Sequence, residues 1–440
     1  MEMEVKRRVG YCMKVLAILA AVTLWDPALP VASSASETDL QQRIEALQKE
    51  IDAMKAQVKK IQEAAKAPAA AEAPIQQAAK APAAVEAPIQ QAEVESWRKY
   101  FSAVPTGEAP ATSARTGITV YGRLDLGYEY NDDGKTSRGV LNNYSSRIGF
   151  KGTRQLGENL TGIMQIETGI APDENSNSGT WASRESYVGL KHKLFGTIKA
   201  GRHDSPFKDL EGVGAPMFGS DEAMEVIIHG KGTSRAAGSS WANFHTRFNN
   251  VVQYETPRFF DIEGRFAYST DEVNPVAGSE RKPAYAGSLE WNNGIFNAGA
   301  AYQATKNYNG ANKDMTGVKL SAGVKWDPFT LGLLWSRLDN DMGKTTNNWM
   351  AAATYKLGPV ILKANYGESS ETAANAADGL KMVGVEAGYP LDKHTTLYAY
   401  YAKIMNDRNA RGRFEAGDNT YTPVAGDDPS VTALAIRYNF

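Results

Sequence analysis

The chain has 440 residues, with Lys+Arg 48 against Asp+Glu 50, a single Cys and 20 Tyr. So even a charge balance excludes the basic stripe with which nucleic-acid-binding proteins neutralise phosphates. No apolar run reaches the roughly 18–20 residues of a membrane-spanning helix, which excludes a helical membrane protein.

Lys6, Arg7, Arg8 and Lys14 precede a short apolar core from Val15 to Trp25, and Ser33-Ser34-Ala35 fits a small-x-small cleavage site. Residues 1–35 therefore read as a signal peptide cleaved after Ala35, with Met13 as an alternative start. Cys12 lies ahead of the apolar core, wrongly placed for lipid attachment, so the exported chain is free of Cys. In residues 36–63, Leu40, Ile44, Leu47, Ile51, Met54, Val58 and Ile61 repeat at 4-3 spacing, the a/d seam of a coiled coil. Such a narrow seam needs partner strands to bury it. Residues 64–92 hold an Ala/Pro repeat, in which 64–77 and 78–91 differ only at Ala71 and Val85. Pro68, Pro74, Pro82 and Pro88 exclude a continuous helix and predict a semi-rigid linker. Residues 93–116 are a transition segment.

From 117 to 440 the pattern switches to period 2. In the first segment Ile118, Val120, Leu124, Leu126, Tyr128 and Tyr130 share one face, and Thr119, Tyr121, Arg123, Asp125 and Glu129 the other. Strands are expected near 118–130, 144–153, 159–169, 181–191, 195–202, 248–256, 260–269, 283–291, 294–304, 316–326, 329–338, 348–357, 360–367, 380–389, 394–403 and 431–440. Tight connections with turn residues such as Gly157, Pro257, Asn292-Asn293, Asp327-Pro328 and Gly358-Pro359 alternate with long polar ones. A soluble sandwich has no reason to sort its loops by length, whereas a transmembrane barrel does. The predicted fold is all-β, a 16-stranded antiparallel transmembrane barrel, wide enough for an aqueous channel. Phe195, Tyr254, Phe259, Trp291, Trp326, Phe329, Tyr355, Tyr389, Tyr438 and Phe440 collect beside the short turns, where an interfacial girdle belongs.

The segments YGRLDLGYEY (121–130), SRIGFKG (146–152), ENLTGIMQIETGI (158–170), RESYVGLKHKLFGTIKAGR (184–202) and the terminal RYNF resemble Gram-negative general porins of the neisserial and β-proteobacterial type. The resemblance implies a homotrimer in the outer membrane, in contact with its lipid, whose third external loop folds into the lumen. It also implies that Tyr438 and Phe440 belong to a C-terminal signal read by the barrel-assembly machinery. The coiled coil and linker depart from that type and are similar to porins with periplasmic trimerising helices, such as the dicarboxylate channels.

The longest connection, 203–247, is the expected constriction loop, since a connection of this length in a compact array is usually functional. Asp221, Glu222 and Glu225 open its apolar stretch Met224-Val226-Ile227-Ile228 and are expected to border the pore. By the resemblance, the basic residues Arg123, Arg147, Lys151, Arg184 and Arg202 face them, making a transverse field that sets ion preference. Alternation is imperfect around Arg184 and Arg202. From Gly117 onward Lys+Arg count 34 and Asp+Glu 36, which predicts weak selectivity unless the constriction departs from the mean.

Catalytic chemistry finds no support. His192, His203, His229, His245 and His394 show no metal-ligand spacing, Asp339-Asn340-Asp341 lacks a full calcium ligand set, and no Ser/His pair stands out. The expectation is a water-filled channel for ions and small hydrophilic solutes, without cofactor, metal or enzymatic activity, its N-terminal segment in the periplasm. The alternatives are a channel selective for small organic anions, or an outer-membrane anchor whose tether reaches toward peptidoglycan.

Overall fold

The structure, a computed structural model, describes residues 116–173, 181–211, 223–230, 233–235, 243–271, 280–310, 312–341, 345–372, 376–414 and 424–440. The segments read as signal peptide, coiled coil and linker lie outside the described residues, and so do Asp221 and Glu222.

Strand β1 (Thr116–Asp132) is followed by β2 (Ser137–Asn143), β3 (Arg147–Gln155), β4 (Leu160–Gly169), β5 (Ser186–His192) and β6 (Gly196–Asp204). The chain then makes two short helical turns, α1 (Pro206–Asp209) and the π-helical α2 (Met224–Ile228), and a short strand β7 (Thr233–Arg235). The series continues with β8 (Arg247–Glu255), β9 (Ile262–Ser269), β10 (Ala284–Asn292), β11 (Phe296–Thr305), β12 (Met315–Trp326) and β13 (Phe329–Asp339). It ends with β14 (Thr345–Leu357), β15 (Val360–Ser369), β16 (Leu380–Pro390), β17 (Thr395–Asn406), β18 (Ala410–Gly412) and β19 (Ser430–Asn439).

Neighbouring strands pair antiparallel all the way round, and β1 bonds to β19 on one side and to β2 and β3 on the other. The sheet is therefore closed. Because β2 and β3 are two halves of one stave, broken where Ser145 takes φ 58°, the barrel has 16 staves. Closure matters physically: in hydrocarbon every N–H and C=O needs an internal partner, and an open edge would leave a row without one. The seam is held by mutual backbone bonds between Gly122 and Phe440, at 2.9 and 3.1 Å. A Cβ on residue 122 would lie 2.3 Å from the Phe440 ring, so only glycine lets that ring lie across β1.

Alternation sets the two faces as expected. Ile118, Val120, Tyr128, Val188, Phe266, Leu289, Leu320, Leu333 and Leu434 are exposed on the outside. Asp125, Glu129, Gln165, Glu167, Gln253, Gln303 and Glu386 point inward. Phe195, Phe259 and Trp326 stand exposed beside the short turns, and Phe329 stacks on Tyr355 at 4.7 Å there.

Two boundaries depart from the sequence expectation. Residues 137–143 form β2, although only Val140 and Leu141 among them are apolar; pairing with the long β1 holds them, Tyr128 opposite Leu141. Residues 181–185, expected to begin a strand, form a turn in which Ala182 takes φ 62° and the Arg184 amide bonds the Glu167 carbonyl at 3.0 Å. That turn accounts for the poor alternation around Arg184.

Candidate constriction

The described parts of the long loop follow the inner wall. Helical turn α1 packs on β9, β10 and β11, α2 packs on β13, β14 and β15, and β7 pairs with β18 beside β17. Ser205 caps α1, its Oγ accepting from the Lys208 amide at 3.2 Å, with Pro206 at the first helical position. Phe207, Leu210 and Phe244 are fully buried against Ala301, Met315 and Leu338 of the wall. Every residue of α2 is buried, and Val226, Ile227 and Ile228 join Leu334, Met350, Leu380 and Met382 in a second apolar cluster. The wall is carved to receive the loop: a Cβ on Gly317 would meet Phe244 at 2.7 Å, and one on Gly299 would meet Leu210 at 2.4 Å. Polar bonds complete the seat, with Ser336 Oγ donating to the Ile228 carbonyl at 2.8 Å and Asn348 supporting Ser336 at 3.0 Å.

The wall of β19, β1, β3 and β4 carries charge where the loop segments have their main seat on other strands. Along it runs a row of guanidinium groups. Arg437 bonds Asp125 at 2.6 Å, and Asp125 also accepts from the Tyr398 hydroxyl at 2.6 Å. Arg123, near the middle of β1, bonds Asn439 at 3.0 Å and lies directly opposite Arg147 in the β1–β3 register. Arg147 and Arg184 share Glu167, at 3.7 and 2.6 Å, and the Tyr121 hydroxyl donates to the same carboxylate at 2.8 Å. Lys151 extends the row, its ammonium 4.7 Å from the centre of the Tyr121 ring. Arg147 and Arg184 are each about a quarter exposed, held in place and still facing water. Arg437, Arg147 and Arg184 thus share two carboxylates while Arg123 bonds an amide, and even with Glu129 counted the four guanidiniums and Lys151 outnumber the carboxylates of this wall.

Of the sequence-predicted pore residues, Arg123, Arg147, Lys151 and Arg184 are brought together on this wall. Arg202 is not. It follows Ile198 and Ala200 on the outward alternation of β6, within a register shift between Gly201 and His203. There its Nε donates to the Ser183 carbonyl at 3.0 Å and its Nη1 to Asn249. Glu225 does not border the lumen as expected: it is 5 % exposed and lies 3.2 Å from His245 Nε2. The π-helical turn buries its whole circumference, so no face is left for the pore. Sequence reasoning missed Arg437, although it stands on the lumen side of the outward Leu434, Ile436 and Tyr438 (parity alone would have found it). It missed Glu167 for want of its partners, which come from three other segments.

A family model described as Gram-negative porin matches residues 101–409. Outer membrane porin protein 32 of Delftia acidovorans is 27 % identical over 348 residues, covering 75 % of this chain and 96 % of its own. The major outer membrane protein P.IB of Neisseria meningitidis is 25 % identical over 351 residues, 74 % of this chain and 96 % of its own. Among solved structures, the anion-selective porin from Comamonas acidovorans superimposes with TM-score 0.64 at 22 % identity, over 74 % of this chain and all of the other. A trimer form of an outer membrane protein of Vibrio cholerae superimposes with TM-score 0.55 at 14 % identity, over 74 % of this chain and 99 % of its own.

Proposed function

The chain belongs to the Gram-negative porin family and forms a channel in the outer membrane, and from that premise we propose that it is an anion-preferring diffusion pore whose constriction lies between the arginine row and the seated loop. The observation that carries this is spatial. The described loop segments have their main packing on β9 to β15, with β7 on β18, while Arg123, Arg147, Arg184 and Arg437 gather on β1, β3, the turn after β4 and β19. A fixed cationic row in a narrow aqueous passage lowers the energy of an anion and raises that of a cation. Phosphorylated or carboxylated solutes have the geometry for bidentate contact with guanidinium groups. The anion selectivity named for the Comamonas structure agrees with this reading.

Around the pore, residues 1–35 act as the export signal and 36–63 as a periplasmic coiled coil that joins three copies. Residues 64–92 serve as its linker and 93–116 as the transition into the barrel at 117–440. Tyr438 and Phe440 serve as the assembly signal. The trimeric form of the Vibrio neighbour and the unbroken a/d seam support a homotrimer.

The test is single-channel conductance of the purified protein in a planar bilayer, with the reversal potential under a potassium chloride gradient. Current steps in threes with a potential on the chloride side are expected. A cation-side potential would overturn the anion preference, and single steps would overturn the trimer. Deletion of 36–116 should leave the unit conductance unchanged and weaken the trimer.

A further inference from the structure

On the lipid side of the wall, the outward side chains of β9 to β12 are not level. Across these strands Phe266 pairs with Gly287, Gly287 with Tyr302, and Tyr302 with Val318. One outward step toward the periplasm, the row reads Gly264, Leu289, Ala300 and Leu320. Small residues thus alternate with large ones, and the floor at Gly287 and Ala300 sinks between Phe266, Leu289, Tyr302 and Val318. The result is an open groove of about 870 Å³, within the size range of ligand sites. A Cβ on Gly287 would lie 3.3 Å from the Phe266 ring, so glycine is what leaves that ring room to lean over the floor.

The groove is apolar along its length and polar at its external end. Tyr268 and Tyr285, opposite each other, hold the last outward positions of β9 and β10 before the external connection, and both line the groove. The Tyr285 ring lies 6.2 Å from that of Tyr302. On the far rim Arg337 of β13 stands directly opposite Val318. Alternation with the buried Ser336 and Leu338 turns Arg337 outward, where it is exposed. Among the described residues no carboxylate pairs with it. Asp339, the next outward position on β13, accepts instead from the Asp341 amide at 2.8 Å. An arginine on the lipid face is costly at mid-membrane and nearly free at the interface. Two residues from the external end of its strand, Arg337 sits at head-group level.

We propose that this groove is a specific site for one molecule of the outer-leaflet lipid, lipopolysaccharide, with an acyl chain lying over Gly287 and Ala300 and a lipid A phosphate held by Arg337. Each part of the site selects its part of the lipid. A narrow apolar groove open to the bilayer fits a flexible hydrocarbon chain, and the tyrosine hydroxyls mark where the hydrocarbon ends. A guanidinium with free donors takes a phosphate through two parallel hydrogen bonds. The external ends of the strands lie in the outer leaflet, where the phosphorylated lipid is lipid A. The site is on the outside of the wall, so it is independent of the ion preference set by the arginine row.

The experiment is native mass spectrometry of the full-length protein titrated in detergent with lipid A, with dephosphorylated lipid A and phosphatidylglycerol as comparisons. One lipid A per protomer should be retained. Arg337→Gln should weaken retention at least about tenfold, the equivalent of one charge-assisted hydrogen bond. Ala300→Trp, which fills the floor from the lipid side, should weaken it by a similar factor. Unit conductance in planar bilayers should stay unchanged in both variants, which reports an intact barrel. Dephosphorylated lipid A tests the Arg337 contact on the wild type itself and should bind as weakly as lipid A binds the glutamine variant. No retained lipid A, full retention by either variant, or phosphatidylglycerol or the dephosphorylated lipid held as firmly as lipid A would each overturn the site. So would a change in the number of chains per particle with Ala300→Trp, which would give the groove to a neighbouring copy.

Discussion

The two halves of the lumen wall obey different rules. On β1, β3 and β4 the inward positions include Tyr121, Arg123, Asp125, Glu129, Arg147, Lys151, Gln165 and Glu167, polar and charged groups. On β11 to β16 the inward positions under the loop include Ala301, Met315, Leu334, Leu338, Met350 and Met382, groups suited to a protein core. Both halves come from the same alternation and face the same interior. The difference records what packs on each: hydrogen-bonded and ion-paired side chains, with Arg147 and Arg184 reaching water, in one case, and α1, α2 and Phe244 in the other. A barrel of this kind therefore has three environments along its strands (lipid, water and loop), and period 2 separates only the first from the other two.

This contrast can be broken from either side. The largest effect is expected on the wet wall. Changing Arg147 and Arg184 together to Glu should invert the ion preference, seen as a change of sign in the reversal potential. On the covered wall, Phe207→Ala removes a fully buried ring and should cost about 3–5 kcal/mol of loop docking. Noisy conductance and cleavage of the loop by external protease would report it, while the barrel itself keeps its resistance to heat. Gly317→Val tests the same seat from beneath and should cost about 1–3 kcal/mol by overpacking Phe244, with the same readouts in weaker form.

The smallest effect belongs to neither wall. Asp314, in the connection before β12, bonds Lys306 at 2.5 Å, and that bond holds its carboxyl below the usual range. A lowered carboxyl contributes stability above its unfolded pKa and loses it as pH falls through the folded value. Because the pair is exposed, Asp314→Asn should leave the melting temperature at pH 7 unchanged within error. A clear drop would show that the external connections share in the stability of the walls.

Most of the barrel was legible because lipid is an undemanding solvent to read: it wants apolar residues at every second position, and turns punctuate the run. β2 escaped because Ser137, Arg138 and Gly139 carry no such signal and are strands only through β1. The place of the loop was legible from its length, but its seat was not. Met315 and Leu338 look like lapses in alternation until Phe207 and Phe244 are set against them. Arg202 was misplaced because a register shift leaves little mark in sequence; here it is opposed only by Asn249 and Asn250, the latter at φ 49°. Glu225 was misread because its partner His245 lies 20 residues away, across the fold of the same loop.

The seat of the loop also sets an order of events. Lys208 meets Lys319 across 111 residues, Ile228 meets Ser336 across 108, and His229 meets Lys319 across 90. None of these contacts has a partner until β12 and β13 have joined the sheet, and contacts of such long range are slow to form. The loop therefore cannot take its seat before those strands do, and the aperture of the channel waits on β12 and β13.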